Sequence, residues 1–266
     1  MASIAASATV GNLLREWRQR RKLSQLDLAC EAEVSTRHLS FVETGRAAPS
    51  RDMLLRLADS LAMPLRMRNL LLVAGGFAPI YAEQPLDAPA MAPARAAVEA
   101  ILGGHEPYPA LAVDRRWTLV AANGAAQALL TGIAPALLEP PVNVLRLSLH
   151  PDGLAGRIAN LAEWRAHLLE RLRVQINQSG DAALAALRDE LAAYPCPASA
   201  GRHVPAGIVV PLRLRGEGGG ILSFLSTTTV FGTAIEVTLS ELTLEAFYPA
   251  DEETRAALLA GATRER

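Results

Sequence analysis

The chain has little cysteine, almost no lysine and no long apolar run, and each shortage removes a class of function. Cys30 and Cys196 are too few and too far apart for a CxxC redox or metal site or a disulfide framework, so a reducing cytoplasm is expected. Lys22 is the sole lysine, which leaves the larger part of the chain without a Schiff-base amine or a Walker-type phosphate lysine. No stretch approaches the roughly 18–20 apolar residues of a membrane span, and the small apolar start from Met1 to Val10 lacks the basic region of a secretion signal. Neither membrane insertion nor secretion is expected. The histidines His38, His105, His150, His167 and His203 fall at no spacing that sets two ligands on one helix face, so no metal site is expected. No G-x-S-x-G elbow occurs and Ser226 has no base assigned near it; no catalytic residue is named, and the chain is not read as an enzyme.

What remains is 266 residues, half of them apolar, with 26 basic against 27 acidic side chains, enough for one large or two ordinary domains. The balance is uneven along the chain. Residues 1–74 carry eleven basic and seven acidic groups, a net of +4, and the remainder carries fifteen and twenty, a net of −5. Arg15, Arg18, Arg20, Arg21 and Lys22, then Arg37, Arg46, Arg51 and Arg56, suit a polyanion, although a solvated helix face shows the same pattern.

Periodicity and caps predict five short helices here. The first runs from about Thr9 to Lys22 on a stripe of Leu13, Leu14 and Trp17; Ser24 and Ser35 cap the second and third; Pro49-Ser50 starts the fourth; Pro64 opens a fifth that ends at Gly75-Gly76. Only Glu33-Val34 separates the second helix from the third, so the two cross steeply. Ser24-Gln25-x-x-Leu28-Ala29, Val34-Ser35 and Leu39-Ser40-Phe41-Val42-Glu43-Thr44-Gly45-Arg46-x-x-Pro49-Ser50 resemble the lambda-repressor-type helix-turn-helix of the xenobiotic-response-element class. That resemblance implies that the helix from Ser35 to Thr44 enters the major groove of double-stranded DNA. It makes Thr36, Arg37 and Phe41 base-contacting candidates, and Gln25, Ser35, His38, Thr44 and Arg46 backbone-contacting ones. The chemistry agrees: Arg37 can fork onto guanine, Thr36 and Phe41 can meet a thymine methyl, and Gln25 and Ser35 sit at helix N-termini that favour phosphate. Phe41 as packing and Ser35 as a cap alone are the plainer readings, and Glu43 is read as structural because phosphate repels a carboxylate. A homodimer on a palindromic operator is expected.

From Gly75 to Pro93 the chain mixes glycine with four prolines, a connector composition. The expected division is therefore 1–76 for the DNA-binding domain, 77–103 for a linker and a short helix near Ala94 to Leu102, and 104–260 for a second domain. In the latter, Leu111 and Val113, then Trp117, Leu119 and Ala121, alternate about the turn Asp114-Arg115-Arg116, and Asn123 caps a small helix. Two longer helices follow, one carrying Ile158, Leu161, Arg165, Leu168 and Leu172, the other capped by Asp181. Ile208 to Leu214, Leu222 to Thr229, Ile235 to Leu239 and Leu242 to Ala246 read as strands, with a break near Ser240 and a glycine turn at 216–220. The fold class is multidomain α and α+β, the second domain an antiparallel sheet of about five strands with helices on one face, in a PAS-like order.

Trp117-x-Leu119-x-x-Ala122-Asn123, His150-Pro151-Asp152-Gly153, Phe231-Gly232-Thr233 and Phe247-Tyr248-Pro249-Ala250-Asp251-x-x-Thr254 together resemble the MmyB-like regulators over nearly the whole chain. Where that family often has Pro and Asp after Phe-Gly-Thr, this chain has Ala234-Ile235-Glu236, a departure in one loop. The resemblance implies a transcription regulator whose PAS-like domain binds a fatty acid or a similar apolar molecule. Trp117, Leu145, Leu147, Trp164, Phe224 and Phe247 are the pocket candidates, each of which core packing also explains, and Arg146, Arg157 and His150 are candidates to hold a carboxylate. An acyl-acting enzyme, or a domain that only dimerises or docks a protein partner, are the alternatives.

Overall fold

The computed structural model describes residues 9–197, 210–216 and 219–264. The chain divides into two compact units: one ends at Gln84 and also takes in Asn177–Ser179 and Ala234–Ser240, and the other holds the rest.

The first unit contains α1 (Val10–Arg20), α2 (Gln25–Glu31), α3 (Thr36–Glu43), α4 (Arg51–Ser60) and α5 (Leu65–Ala74). Short polar side chains start four of them: the hydroxyls of Thr9, Ser24, Ser35 and Ser50 each accept a backbone N–H one turn on. Ser24 does so reciprocally, since the Asp27 carboxylate accepts the Ser24 N–H at 2.9 Å. Leu14, Trp17, Leu28, Leu39, Leu54 and Leu57 close over one another in the centre, each burial worth about 1.5–3 kcal/mol. α1 and α3 meet at Gly11, where an added Cβ would lie 2.5 Å from the carbonyl oxygen of Glu43 and 2.7 Å from that of Val42. Neither backbone can yield as a side-chain tip would. Gly11→Ala is therefore expected to destabilise this unit by about 1–3 kcal/mol despite alanine's better helix propensity, as urea unfolding would show.

The second unit opens with α6 (Ala92–Gly104), followed by β1 (Ala110–Val113), β2 (Leu119–Ala122), α7 (Gly124–Ala128), α8 (Pro135–Leu138), α9 (Val144–Leu149), α10 (Leu161–Ser179), α11 (Ala182–Ala193), β3 (Leu212–Arg215) and β4 (Ile221–Val230). β5 (Thr243–Pro249) and α13 (Glu252–Arg264) complete it, with α12 (Val237–Ser240) between β4 and β5. The five strands form one antiparallel sheet in the order β2-β1-β5-β4-β3. Asn123 secures its first corner: its Oδ1 accepts the N–H groups of Ala110 and Ala126, and its Nδ2 donates to the carbonyl of Tyr108. That accounts for an asparagine buried at the start of α7.

Three readings are corrected. Ile235 to Leu239 is not a strand; Val237–Ser240 is a helical turn of the first unit, with Val237 buried and its N–H donated to Ala82. Alternating apolar residues fit either a strand or an irregular segment with one buried face, and the partner decides. Helices cover both faces of the sheet rather than one, because α6 packs on β1 and buries Ala110 and Ala112 while Val113 joins the core on the opposite face. Ile158 precedes α10 and pairs with Leu214 instead of starting the helix, which runs on to a left-handed Gly180. Ile208 and part of the 216–220 turn lie outside the described residues.

Candidate nucleic-acid interface and ligand cavity

The α2–α3 pair is set by a short turn in which Glu33 takes a left-handed φ of 54° and the Val34 N–H returns to Ala29. Leu39, Val42 and Glu43 point inward from α3, leaving Arg37 and His38 exposed and Thr36 and Phe41 half-buried on the outer side. The Arg37 guanidinium lies over the Phe41 ring, 5.4 Å from its centroid. Phe41 is thus both partly packed and the platform that orients Arg37. Arg46 is exposed just beyond Gly45, whose φ of 73° turns the chain out of α3. Arg51 and Arg56 are exposed too.

Other basic residues of the first unit are used inside it. Arg18 clamps Glu43 through two bonds of 2.7 and 2.8 Å, Arg15 adds a longer ion pair, and Arg21 donates to the carbonyls of Leu61 and Ala62. Glu43 is 3% exposed. Burial pushes its carboxyl up, but the hydrogen bonds from Arg18 and Gln25 and the charges of Arg18 and Arg15 hold it below the usual carboxylate range. The structure therefore places Gln25 against Glu43 at 2.8 Å, with one amide hydrogen committed there. The Thr44 hydroxyl donates to the Ser40 carbonyl, and Ser35 accepts from the His38 N–H while keeping its own O–H for another partner.

In the second unit a cavity of ≈ 100 Å³ lies between the sheet and α7, α9 and α10. Its walls include Leu111, Leu119, Ala126, Leu145, Leu147, Leu154, Leu168, Leu214 and Phe247, with Trp117 and Trp164 among them. Apart from the two indoles, the polar side chains on its lining among the described residues are Ser148, Arg171 and Glu245. Engineered apolar cavities of roughly 150 Å³ admit benzene, so anything larger requires lining side chains to move. Of the pocket candidates, Trp117, Leu145, Leu147, Trp164 and Phe247 lie on the lining; Phe224 is fully buried, edge-on to Phe247, and is not among the described lining residues.

The carboxylate-holding candidates lie elsewhere. Arg146 is bidentate to Glu190 at 2.7 Å, Arg157 donates to the carbonyls of Leu129 and Thr131, and His150 accepts the Asp152 N–H in its own turn. Gly153 closes that turn because an added Cβ would meet the Leu147 carbonyl at 2.3 Å. The charged pair at the cavity is instead Arg171 with Glu245, bonded at 2.7 and 3.1 Å. A glutamate inside the apolar Leu242-to-Phe247 run was the available signal; Leu244 and Glu245 are both buried, on opposite faces of β5. His167 stacks on Trp164, and burial, then the Arg171 charge, pushes its imidazole down.

Residues 9–71 match a helix-turn-helix domain model, and residues 94–260 match the model of the MmyB-like transcription regulator ligand binding domain. No match was found among curated proteins. One solved structure, an RNA-binding Light-Oxygen-Voltage receptor, aligns over 99% of this chain and 66% of its own length at 15% identity, with a TM-score of 0.26. No helix among the described residues is long and apolar enough to cross a membrane. With a helix-turn-helix that exposes α3 and a ligand-binding domain built around an apolar cavity, the chain belongs to the MmyB-like transcription regulators.

Proposed function

We propose that the protein is a cytoplasmic homodimer that binds a palindromic operator through α3 and senses an apolar small molecule, such as a fatty acid, in the cavity of its second domain. The apolar lining carries this reading: a chain of methylenes gains roughly 0.8 kcal/mol for each one buried, so affinity there needs no charged partner. A domain that only docks or dimerises has no use for such a space, which disfavours that alternative. Fatty-acid-like ligands change operator affinity only if they bind the two regulatory states unequally. A covalent route for that difference exists, since β5, which supplies Glu245 and Phe247 to the cavity, follows directly on the Ala234–Ser240 segment of the first unit.

On α3, Thr36, Arg37 and Phe41 read bases; Gln25, Ser35, His38, Thr44 and Arg46 hold the backbone. Arg37→Ala is expected to cost about 1–3 kcal/mol and to relax preference at one base position. Arg46→Ala weakens all sequences alike and lowers the salt slope. Operator titrations over a range of salt would distinguish them, and equal loss of specificity in both variants would refute the assignment. For the ligand, solvent extraction of freshly purified protein with mass spectrometry should yield a stoichiometric apolar molecule. Turnover of an acyl substrate would instead favour the enzyme reading.

A further inference from the structure

The cavity has a polar end whose charge is already spent. Glu245 is 3% exposed and accepts from both terminal nitrogens of Arg171, while Thr228 accepts from Arg171 and donates to Glu245, each at 3.0 Å. The same guanidinium lies 4.7 Å from the centroid of Trp117, which fixes it against the cavity wall. Thr228 is exposed and the Arg171 side chain a quarter exposed, so this end lies toward solvent while the rest of the lining is mostly apolar.

From this pair we infer that the site selects an apolar molecule with an uncharged head that both donates and accepts hydrogen bonds, an alcohol or a primary amide, over the carboxylate of the same chain. This rests on the sensing reading above and narrows it. A hydroxyl or amide can donate to the buried Glu245 carboxylate and accept from a remaining Arg171 N–H. An ionised carboxylate only accepts. It meets a guanidinium already neutralised, and it brings a second negative charge beside Glu245 without a second cation among the described lining residues. Glu245 is thus the residue that sets head-group specificity, and a fatty acid as its anion is the weaker ligand.

The test uses the full chain and three probes of one length: 1-octanol, octanamide and octanoate, the last at a pH where it is fully ionised. Tryptophan fluorescence and calorimetry give the affinities. The wild type should bind the neutral pair about tenfold more tightly than octanoate, the scale of one hydrogen bond to a charged group. Glu245→Gln releases Arg171 and should raise octanoate affinity by about tenfold while weakening octanol, whose bond to the charged carboxylate is lost, so that the preference disappears or reverses. If Glu245→Gln does not fold, the wild-type series alone decides. Octanoate binding the wild type as tightly as octanol would overturn the head-group rule and leave the sensing reading standing. Binding of none of the three would overturn both.

Discussion

Glu43→Ala is expected to lower the stability of the helix-turn-helix unit by about 3–5 kcal/mol, the cost of leaving a buried charge without its partner. Arg18 would keep a bond to the Leu23 carbonyl but lose both bonds to the carboxylate, with its side chain only 12% exposed. Gln25 would lose its acceptor as well. Because Glu43 ends α3 and its partners lie on α1 and α2, these three helices loosen together. Urea unfolding with hydrogen exchange across residues 10–43 measures this. The sign with pH follows from the direction of the shift. A carboxyl held below its ordinary range in the folded protein stabilises fully at neutral pH, and that contribution is lost as pH falls through and below the ordinary carboxylate range. Glu43→Gln should therefore flatten the acid limb of the stability profile. An unchanged acid limb would show that the pair does not govern it.

The second large effect belongs to the cavity. Trp117 lies 7% exposed on its wall, donates its indole N–H to Gln175 at 2.9 Å and supports the Arg171 guanidinium. Trp117→Ala is expected to destabilise the second unit by about 3–5 kcal/mol through lost burial and the enlarged void, with faster exchange in residues 110–122 and 161–179. Trp117→Phe keeps a ring under Arg171 and should cost clearly less. Equal losses for the two variants would mean that the indole's packing is not what the site depends on.

These two sites differ in how far they could be read from the sequence. The helix-turn-helix was legible to within a residue or two: Ser24, Ser35 and Ser50 sit where caps were expected, because a cap depends on neighbours three residues away. Glu43, read as structural, is buried and bonded to Arg18 and Gln25. That Arg15, Arg18 and Arg21 serve internal partners was not visible, since a guanidinium's acceptor is chosen by which turn of another helix comes within reach. In the second unit Asn123 and Asp181 were recognised as caps, whereas the fate of Ile235 to Leu239 was misread.

By itself the sequence determined the helices, their caps, the α2–α3 turn and the apolar character of the second unit's interior, all properties carried by residues within one or two turns of each other. The tertiary structure alone decided which apolar side chains surround empty space, that Arg171 meets Glu245 74 residues away, and that the 234–240 segment leaves the sheet for the first unit. Local order follows from spacing along the chain, but a cavity and a charge pair exist only where distant segments are brought together. One residue of strand phase then determines whether leucine or glutamate faces the space between them.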